Sequence, residues 1–268
     1  MNKYLLLKEL KRNKTILFIW MGVIAFFTIF VMSFYPSIAK MGDQLKALID
    51  SFPPGMTKAF GMDMASWTDI LSYYSTYYGM HIMIFMTIFS ATLAAGILSK
   101  EEREGTADFL LTRPISRIEV VGSKVIAFSI LFFLLFFMQI FLAWGGMKIF
   151  ATQEYDVRIF TIMHFYGFIL NIFFAGLGIF ISLFPKRSKS ITGAIVGVVI
   201  GSFIINALSR ISADTEWIAW ISPFHYADFQ VTAYDYNVDL WRVSVLGGLG
   251  ILFFILTFLR YRKKDIYT

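Results

Sequence analysis

The sequence contains no cysteine, and only 16% of its 268 residues are charged. Without cysteine the chain can form neither a disulfide bond nor a thiolate metal site. Hydrophobic residues make up 57% of the chain and aromatic residues 18%, so too few polar side chains remain to cover the surface of a soluble globule. The composition therefore predicts an integral membrane protein.

Charged residues are also missing from six long apolar stretches, none of which contains Asp, Glu, Lys or Arg. A helix needs about 20 predominantly apolar residues to cross the hydrocarbon core of a bilayer, and these stretches meet or approach that length. We therefore expect an all-α membrane protein with six transmembrane helices. The predicted spans are residues 15–35, 77–98, 125–144, 162–184, 191–208 and 243–259.

Lys and Arg are distributed unevenly between the two sides of these spans. The N-terminal arm, the loops after spans two and four, and the tail hold 17 of the 24 basic residues, whereas the outer segments 36–76, 145–161 and 209–242 hold 7. Because basic residues are retained on the cytoplasmic side, we expect both termini in the cytoplasm of a multi-pass plasma-membrane protein. Topology and anionic lipid headgroups then explain the net charge of +6, and no nucleic-acid partner is required.

Groups that could perform chemistry are scarce. The phosphate-binding pattern G-x-x-x-x-G-K-[ST] is absent, so we expect no ATP hydrolysis in this chain. No carboxylate lies in a predicted span, although ion-coupled secondary transporters usually keep an ionisable group there. The His and Asp residues of the interfacial loops lack the spacing of a metal cluster or a catalytic triad. We therefore expect no enzyme, metal site or cofactor within the chain itself.

Residues 1–14 have the pattern of an amphipathic helix. Leu6, Leu7 and Leu10 share one face, and lysines occupy other positions around the helix. This pattern predicts a helix that lies in the inner membrane interface before the chain turns into span one. A frayed basic start that only sets the topology is the alternative. Residues 15–268 then form the six-span domain.

The loop 99–124 is the most informative polar segment. It contains two S-x-x-E patterns, Ser99 with Glu102 and Ser116 with Glu119. In such a capping box the Ser and Glu side chains satisfy each other's backbone N–H groups at the start of a helix. The loop therefore predicts two separate helix starts, and the second one would lead into span three.

Between the two patterns the spacing predicts a short helix. Pro114 ends it, because the residue before a proline is disfavoured in the helical conformation. Four side chains share one face of this helix: Thr106, Phe109, Leu110 and Arg113. Such a face fits a helix that docks on a cytosolic protein, and it fits equally well a surface helix under the lipid headgroups.

The same loop resembles the permease subunits of type-2 ATP-binding-cassette (ABC) transporters. Their pattern is an acidic stretch, Gly-Thr, Leu-Leu, Pro-apolar-Ser-Arg, and then a Gly and a Lys near the next span. The matching residues are Glu101 to Glu104, Gly105-Thr106, Leu110-Leu111, Pro114-Ile115-Ser116-Arg117, Gly122 and Lys124. The resemblance extends to the six spans with cytoplasmic ends, the basic arm, the segment 51–61, and Ser222-Pro223-Phe224-His225-Tyr226 before span six.

The resemblance implies that the loop is a coupling helix, seated in a groove of a separate cytosolic ABC ATPase subunit that binds ATP and Mg²⁺. It also implies a second permease subunit, identical or related, so that two halves form the pathway across the lipid bilayer. Phe109, Leu110 and Leu111 would fill the groove. The full set of coupling residues is Glu104, Gly105, Thr106, Phe109, Leu110, Leu111, Arg113, Pro114, Ser116 and Arg117.

Three amides within the spans are candidates for lining the pathway: Gln139, Asn171 and Asn206. Polar side chains in spans more often bond neighbouring helices, however.

Since the spans hold no charge, we expect the permease to export an apolar or amphipathic substrate such as a peptide, lipid or drug. Two alternatives stay open. One is a non-transporting membrane anchor or sensor that recruits a cytosolic partner, and the other is an ion-coupled secondary transporter.

Two further patterns concern helix packing. Span five carries a ladder of small residues at Gly193, Gly197 and Gly201, and span four has a notch at Gly176 and Gly178. Small residues let helices approach closely, so we expect contacts within the chain or at the seam of the permease dimer.

The phenylalanines of span three form two adjacent ridges, at 128, 132 and 136 and at 133, 137 and 141. We expect both ridges to face lipid, with a wall for an amphipathic substrate as the alternative.

Overall fold

The computed structural model describes residues 2–62, 67–103, 116–184, 191–229 and 236–263. Within these ranges every regular element is a helix. Six helical stretches are long and apolar enough to cross a membrane, which confirms the six predicted spans. The chain is therefore an all-α, multi-pass membrane protein.

The first span is α1 (Lys3–Lys40), and two short helices follow it, α2 (Gly42–Asp50) and α3 (Pro54–Ala59). The second span consists of α4 (Ile70–Tyr77), a π-helical turn (Tyr78–Ile82) and α5 (Met83–Arg103). Spans three to six are α6 (Arg117–Phe150), α7 (Val157–Ile181), α8 (Ile191–Ser209) and α9 (Leu240–Lys263). Between α8 and α9 lie two 3₁₀ helices, Ala213–Ile221 and Pro223–Tyr226.

The N-terminal arm and the first span form one helix. α1 runs for 38 residues, so the expected turn after residue 14 is not present. Leu5 and Glu9 are buried, and the backbone N–H of Asn2 donates to Ser123 Oγ of α6 at 3.0 Å. The arm continues the span because it packs along α6. The placement of residues 1–14 in the membrane interface stays a prediction.

The second and fourth spans form the centre of the bundle. In the most apolar part of span two, 72% of the residues are buried. The corresponding buried fractions are 22% for α8 and 17% for α9. α5 packs on α7 and α8, α7 packs on α9, and α1 packs chiefly on α6. One side of α8 and α9 therefore remains open at the edge of the bundle.

Glycines allow the closest helix contacts within the bundle. A Cβ atom at Gly176 would lie 2.4 Å from the carbonyl oxygen of Gly250 in α9, and one at Gly178 would lie 2.4 Å from that of Ala91 in α5. The notch of span four therefore packs within the chain. A Cβ at Gly197 or Gly201 would meet no described atom within 4 Å, so these two glycines of α8 are not needed for packing among the described residues.

The two phenylalanine ridges of α6 have different surroundings. Phe128, Phe132 and Phe136 are buried, because α9 and α7 pack over them through Phe254 and Phe168. The expectation that both ridges face lipid is wrong for this ridge. The second ridge remains on the helix surface, where Phe133, Phe137 and Phe141 are exposed.

Candidate functional site

In the sequence, the predicted coupling residues stand between the end of α5 and the first residue of α6. Ser116 and Arg117 belong to the described part of the chain, as the residue before α6 and the first residue of α6. The other eight lie outside the described residues: Glu104, Gly105, Thr106, Phe109, Leu110, Leu111, Arg113 and Pro114. The predicted docking helix is therefore not tested, whereas its two flanks are.

The flank at Ser116 begins with the predicted capping box. The side chain of Ser116 accepts a hydrogen bond from the backbone N–H of Glu119 at 3.2 Å, and Glu119 Oε2 accepts one from the backbone N–H of Ser116 at 3.2 Å. These reciprocal bonds satisfy two N–H groups that a helix start would otherwise leave open. The second predicted helix start is confirmed.

The flank at Ser99 differs from the prediction. Ser99 is a buried residue inside α5, and its hydroxyl donates to the carbonyl oxygen of Ala95 at 2.8 Å. The helix continues past it to Arg103, so Ser99 and Glu102 are not the start of a helix. A capping box requires a chain that enters the helix at the serine, and here the apolar run before Ser99 is already helical.

A buried ion pair joins α1 to α6, about two helical turns after the start of α6. The ammonium nitrogen of Lys124 is 3.7 Å from Glu9 Oε1, and both side chains are fully buried. The same ammonium group donates to the carbonyl oxygen of Ile97 in α5. Asn13 Nδ2 also donates to Glu9 Oε2 at 3.4 Å. Lys124 of α6 thus holds α1 and α5 together.

The sequence patterns do not single out Glu9. Lys124 belongs to the loop pattern, but that pattern does not indicate which residue it pairs with. One signal was available, because Glu9 is the single acidic residue in an otherwise basic arm. It lies one helical turn after the buried Leu5, and therefore on the packed face of the helix.

A second polar network crosses the interior at the other half of the bundle. Gln139 Nε2 of α6 donates to the hydroxyl of Tyr74 in α4 at 2.6 Å, and that hydroxyl lies 3.2 Å from His164 Nε2 of α7. His164 Nδ1 lies 2.8 Å from the Phe160 carbonyl oxygen, which can only accept. The bonding pattern assigns the proton of His164 to Nδ1 and makes Nε2 the acceptor for Tyr74. Three helices are joined through this chain.

The other two candidate amides have different environments. Ser90 of α5 donates to Asn171 Oδ1 at 2.9 Å, and Asn171 Nδ2 donates to the Gly167 carbonyl oxygen at 2.8 Å. Asn206 of α8 is buried, and its Oδ1 has no hydrogen-bond partner among the described residues. Gln139 and Asn171 thus tie helices together inside the protomer. Their role in lining a pathway stays a prediction, as does that of Asn206.

The segment Ser222 to Tyr226, which precedes span six, packs on α7 and α8. Ser222 Oγ donates to the Ser202 carbonyl oxygen of α8 at 2.7 Å, and Phe224 packs between Phe174 of α7 and Phe203 of α8. Burial lowers the pKa of His225, and the positive charges of Arg242 and Arg210 lower it further. The segment therefore places His225, whose pKa is lowered, next to the buried ring of Phe224.

Comparison with known proteins supplies the family. A search of curated proteins and a search of solved structures each find no match. A family model described as ABC-2 family transporter protein matches residues 4–266. This range includes the six candidate spans except the first residue of α1, together with the whole loop between α5 and α6. Because the match covers nearly the entire chain, the protein belongs to the ABC-2 transporter family, as a membrane permease component.

Proposed function

We propose that this permease is half of an exporter, that a separate cytosolic ABC ATPase drives it, and that the ATPase docks on the loop 99–124. ATP and Mg²⁺ would be bound by that partner. The main support is the position of the loop, which joins the end of α5 at Arg103 to the capped start of α6. A displacement of the loop therefore acts on two spans at once.

Transmission of a nucleotide-driven movement requires a rigid element that contacts both bodies. The capping box at Ser116 and Glu119 closes the first turn of α6. Below it, Lys124 bonds to Ile97 of α5. Both features favour a stiff connection between the loop and the spans over a flexible linker.

The second permease subunit is proposed to pack on α8. Most residues of α8 face outward in the protomer, and Gly197 and Gly201 leave open space where a side chain would stand. Glycine ladders of this kind favour close approach of two transmembrane helices. Since Gly197 and Gly201 make no close contact within the described residues, a partner permease, identical or related, is their proposed contact.

The substrate is proposed to be apolar or amphipathic, such as a peptide, lipid or drug. The spans contain no charged side chain at their centres, and Gln139 and Asn171 are engaged with other helices. The open faces of α8 and α9 are lined by residues such as Ile204, Leu249 and Ile255. Such surfaces offer few hydrogen bonds to a charged cargo.

The location is proposed to be the plasma membrane, with both termini in the cytoplasm. The support is the distribution of basic residues, with 17 of 24 in the segments that join or flank the spans on one side. This side includes the loop 99–124, which is where a cytosolic ATPase has to bind.

The docking role can be tested by changing two apolar residues of the loop. The native chain and the variant Leu110→Asp plus Leu111→Asp are each co-expressed with a cytosolic ABC ATPase subunit from the same genome and purified in nanodiscs. We expect the native chain to co-purify with the ATPase and to support ATP hydrolysis. The variant is expected to lose the ATPase, because carboxylates are unfavourable in an apolar groove, while keeping its helical circular dichroism.

A matched control places the same two charges at the other end of the bundle. Leu48 of α2 and Met56 of α3 are exposed, so Leu48→Asp plus Met56→Asp should leave ATPase binding unchanged. Retention of the ATPase by the loop variant would contradict the proposed coupling through residues 99–124.

A further inference from the structure

The ion pair of Glu9 and Lys124 connects α1, α5 and α6 near the helix ends that flank the loop. Its two charged atoms are 3.7 Å apart, and neither side chain is exposed. Lys124 also donates to the Ile97 carbonyl oxygen of α5. One side chain of α6 thus contacts α1 through charge and α5 through a hydrogen bond.

The contact between α1 and α6 extends over several residues. The backbone N–H of Asn2 donates to Ser123 Oγ at 3.0 Å, next to Lys124 in the chain. On the other side of the pair, Asn13 Nδ2 donates both to the Glu9 carbonyl oxygen at 2.9 Å and to its carboxylate at 3.4 Å. The carboxylate is therefore held in place by its own helix while it faces Lys124.

A buried ion pair is a poor device for stability alone. Removing two charges from water is costly, and well-packed apolar residues of similar size are often as stabilising or more so. An ion pair instead favours one relative position of the two helices, in which the opposite charges meet. In other positions each charge would be buried without the other, which is strongly unfavourable. A fully buried Glu9–Lys124 pair is thus suited to fixing the position of α1 relative to α6.

The pair is placed where such a constraint would act on the loop. Ile97 lies six residues before the end of α5 at Arg103, and Lys124 lies seven residues after the start of α6 at Arg117. At 1.5 Å per helical residue, Ile97 and Lys124 each lie about 10 Å along their helices from the segment 104–116 that joins α5 to α6. A movement of the loop therefore reaches Lys124 within two helical turns.

At its far end α1 is held by different contacts. Tyr73 of α4 donates to the Val31 carbonyl oxygen at 2.8 Å, and Tyr35 donates to the Thr68 carbonyl oxygen at 2.8 Å. These bonds do not depend on Lys124. Loss of the ion pair should therefore free the beginning of α1 and leave residues 28–40 in place.

We propose that Lys124 is a positioning residue that, through Glu9, fixes α1 to the two helices flanking the coupling loop, so that three helices and not two follow the loop when the ATPase closes. This inference rests on the proposed coupling function. It assigns the N-terminal arm a place in the transmission of movement, in addition to its proposed place at the membrane.

The test separates positioning from stability by comparing two variants. Lys124→Met removes the positive charge that faces the buried Glu9 carboxylate, whereas Glu9→Met plus Lys124→Met replaces the pair by two apolar side chains of similar length. We expect the double variant to recover a thermal unfolding midpoint close to the native one.

Two further variants are controls. Lys124→Arg keeps the charge and the donor, and Lys8→Met makes the same chemical change at an exposed neighbour of Glu9.

The first measurement needs no partner. Hydrogen exchange of the backbone amides of residues 3–13 is followed in nanodiscs. In the double Met variant we expect it to be about tenfold faster than in the native chain, with no change in residues 28–40. Lys124→Arg and Lys8→Met should match the native protein. Unchanged exchange in a folded double variant would overturn the proposal.

The second measurement uses the ATPase subunit that co-purifies with the native permease. The double Met variant should still bind it, since residues 104–115 are intact, but should stimulate ATP hydrolysis about fivefold less. Normal stimulation by this variant would overturn the positioning role. If the native chain binds no ATPase, the proposed function itself fails, and this case is recognised because the native protein and not only the variant is inactive.

Discussion

Individual polar side chains in this permease act mainly as ties between helices. Gln139 reaches across to Tyr74, and Asn171 receives a hydrogen bond from Ser90. Inside a bilayer a buried polar group cannot form a hydrogen bond with water. A hydrogen bond to the neighbouring helix therefore stabilises the bundle by about 1 kcal/mol. These bonds fix how the spans are arranged around α5 and α7.

Two glycines provide a residue-level test of this arrangement. Gly178→Ala should destabilise the protein by about 1–3 kcal/mol, because the new methyl group meets the backbone oxygen of Ala91, which cannot move aside as a side chain could. Gly22→Ala of α1 is the control, since its methyl group enters open space and alanine normally stabilises a helix by about 0.5–1 kcal/mol relative to glycine. Thermal unfolding in detergent, followed by tryptophan fluorescence, measures the difference. Equal midpoints for the two variants would contradict the close contact of α5 and α7.

At the level of elements, identical local patterns lead to different structures. Ser99 and Ser116 each begin an S-x-x-E pattern, yet only Ser116 starts a helix. Residues before Ser99 are already helical as part of α5. Pro114 stands two residues before Ser116, and a helix cannot run undisturbed into that position. The capping pattern is therefore used at Ser116, whose own backbone is extended, and not at Ser99, which already lies inside a helix.

Substitution of the two serines should reveal this difference. Ser116→Ala removes the acceptor for the Glu119 N–H and should cost the start of α6 about 1 kcal/mol. Ser99→Ala removes only a bond from the hydroxyl to the Ala95 carbonyl oxygen, so exchange near residue 99 should hardly change. Hydrogen exchange of residues 117–120 measures the effect at α6. An equally large increase around residue 99 would mean that Ser99 also caps a helix.

The whole molecule has a packed centre and an open edge. The apolar windows of α8 and α9 are only 22% and 17% buried, although both helices are rich in large apolar residues. Exposed apolar surface of this extent requires lipid or another subunit to cover it. The protomer is thus built to be surrounded on that side, in keeping with the proposed dimer.

The absence of cysteine makes the proposed orientation directly testable. Lys11 of α1 and Ser51 after α2 are both exposed, and each can be replaced by a single cysteine without a background thiol. In intact cells a membrane-impermeant maleimide should label Ser51→Cys, whereas Lys11→Cys should react only after permeabilisation. The opposite pattern would place the termini and the loop 99–124 outside, where no cytosolic ATPase could reach them.

Features that depend on neighbouring residues in the chain could be predicted from the sequence. The six spans follow from the length of uncharged apolar stretches, because crossing a bilayer sets a minimum length for each helix. The helix start at Ser116 follows from the capping pattern after Pro114. The loop pattern around Leu110 and Leu111 led to the same family as the match over residues 4–266.

What the sequence by itself determined is the class, the number of spans and the family, since each depends on local composition or on a short pattern. Only the tertiary structure decided which phenylalanine ridge of α6 is covered, which glycines touch another helix, and that Lys124 meets Glu9. Those outcomes depend on which face of each helix meets a neighbour. In a membrane, apolar residues are equally acceptable towards lipid and towards protein, so hydrophobicity alone cannot identify the packed face.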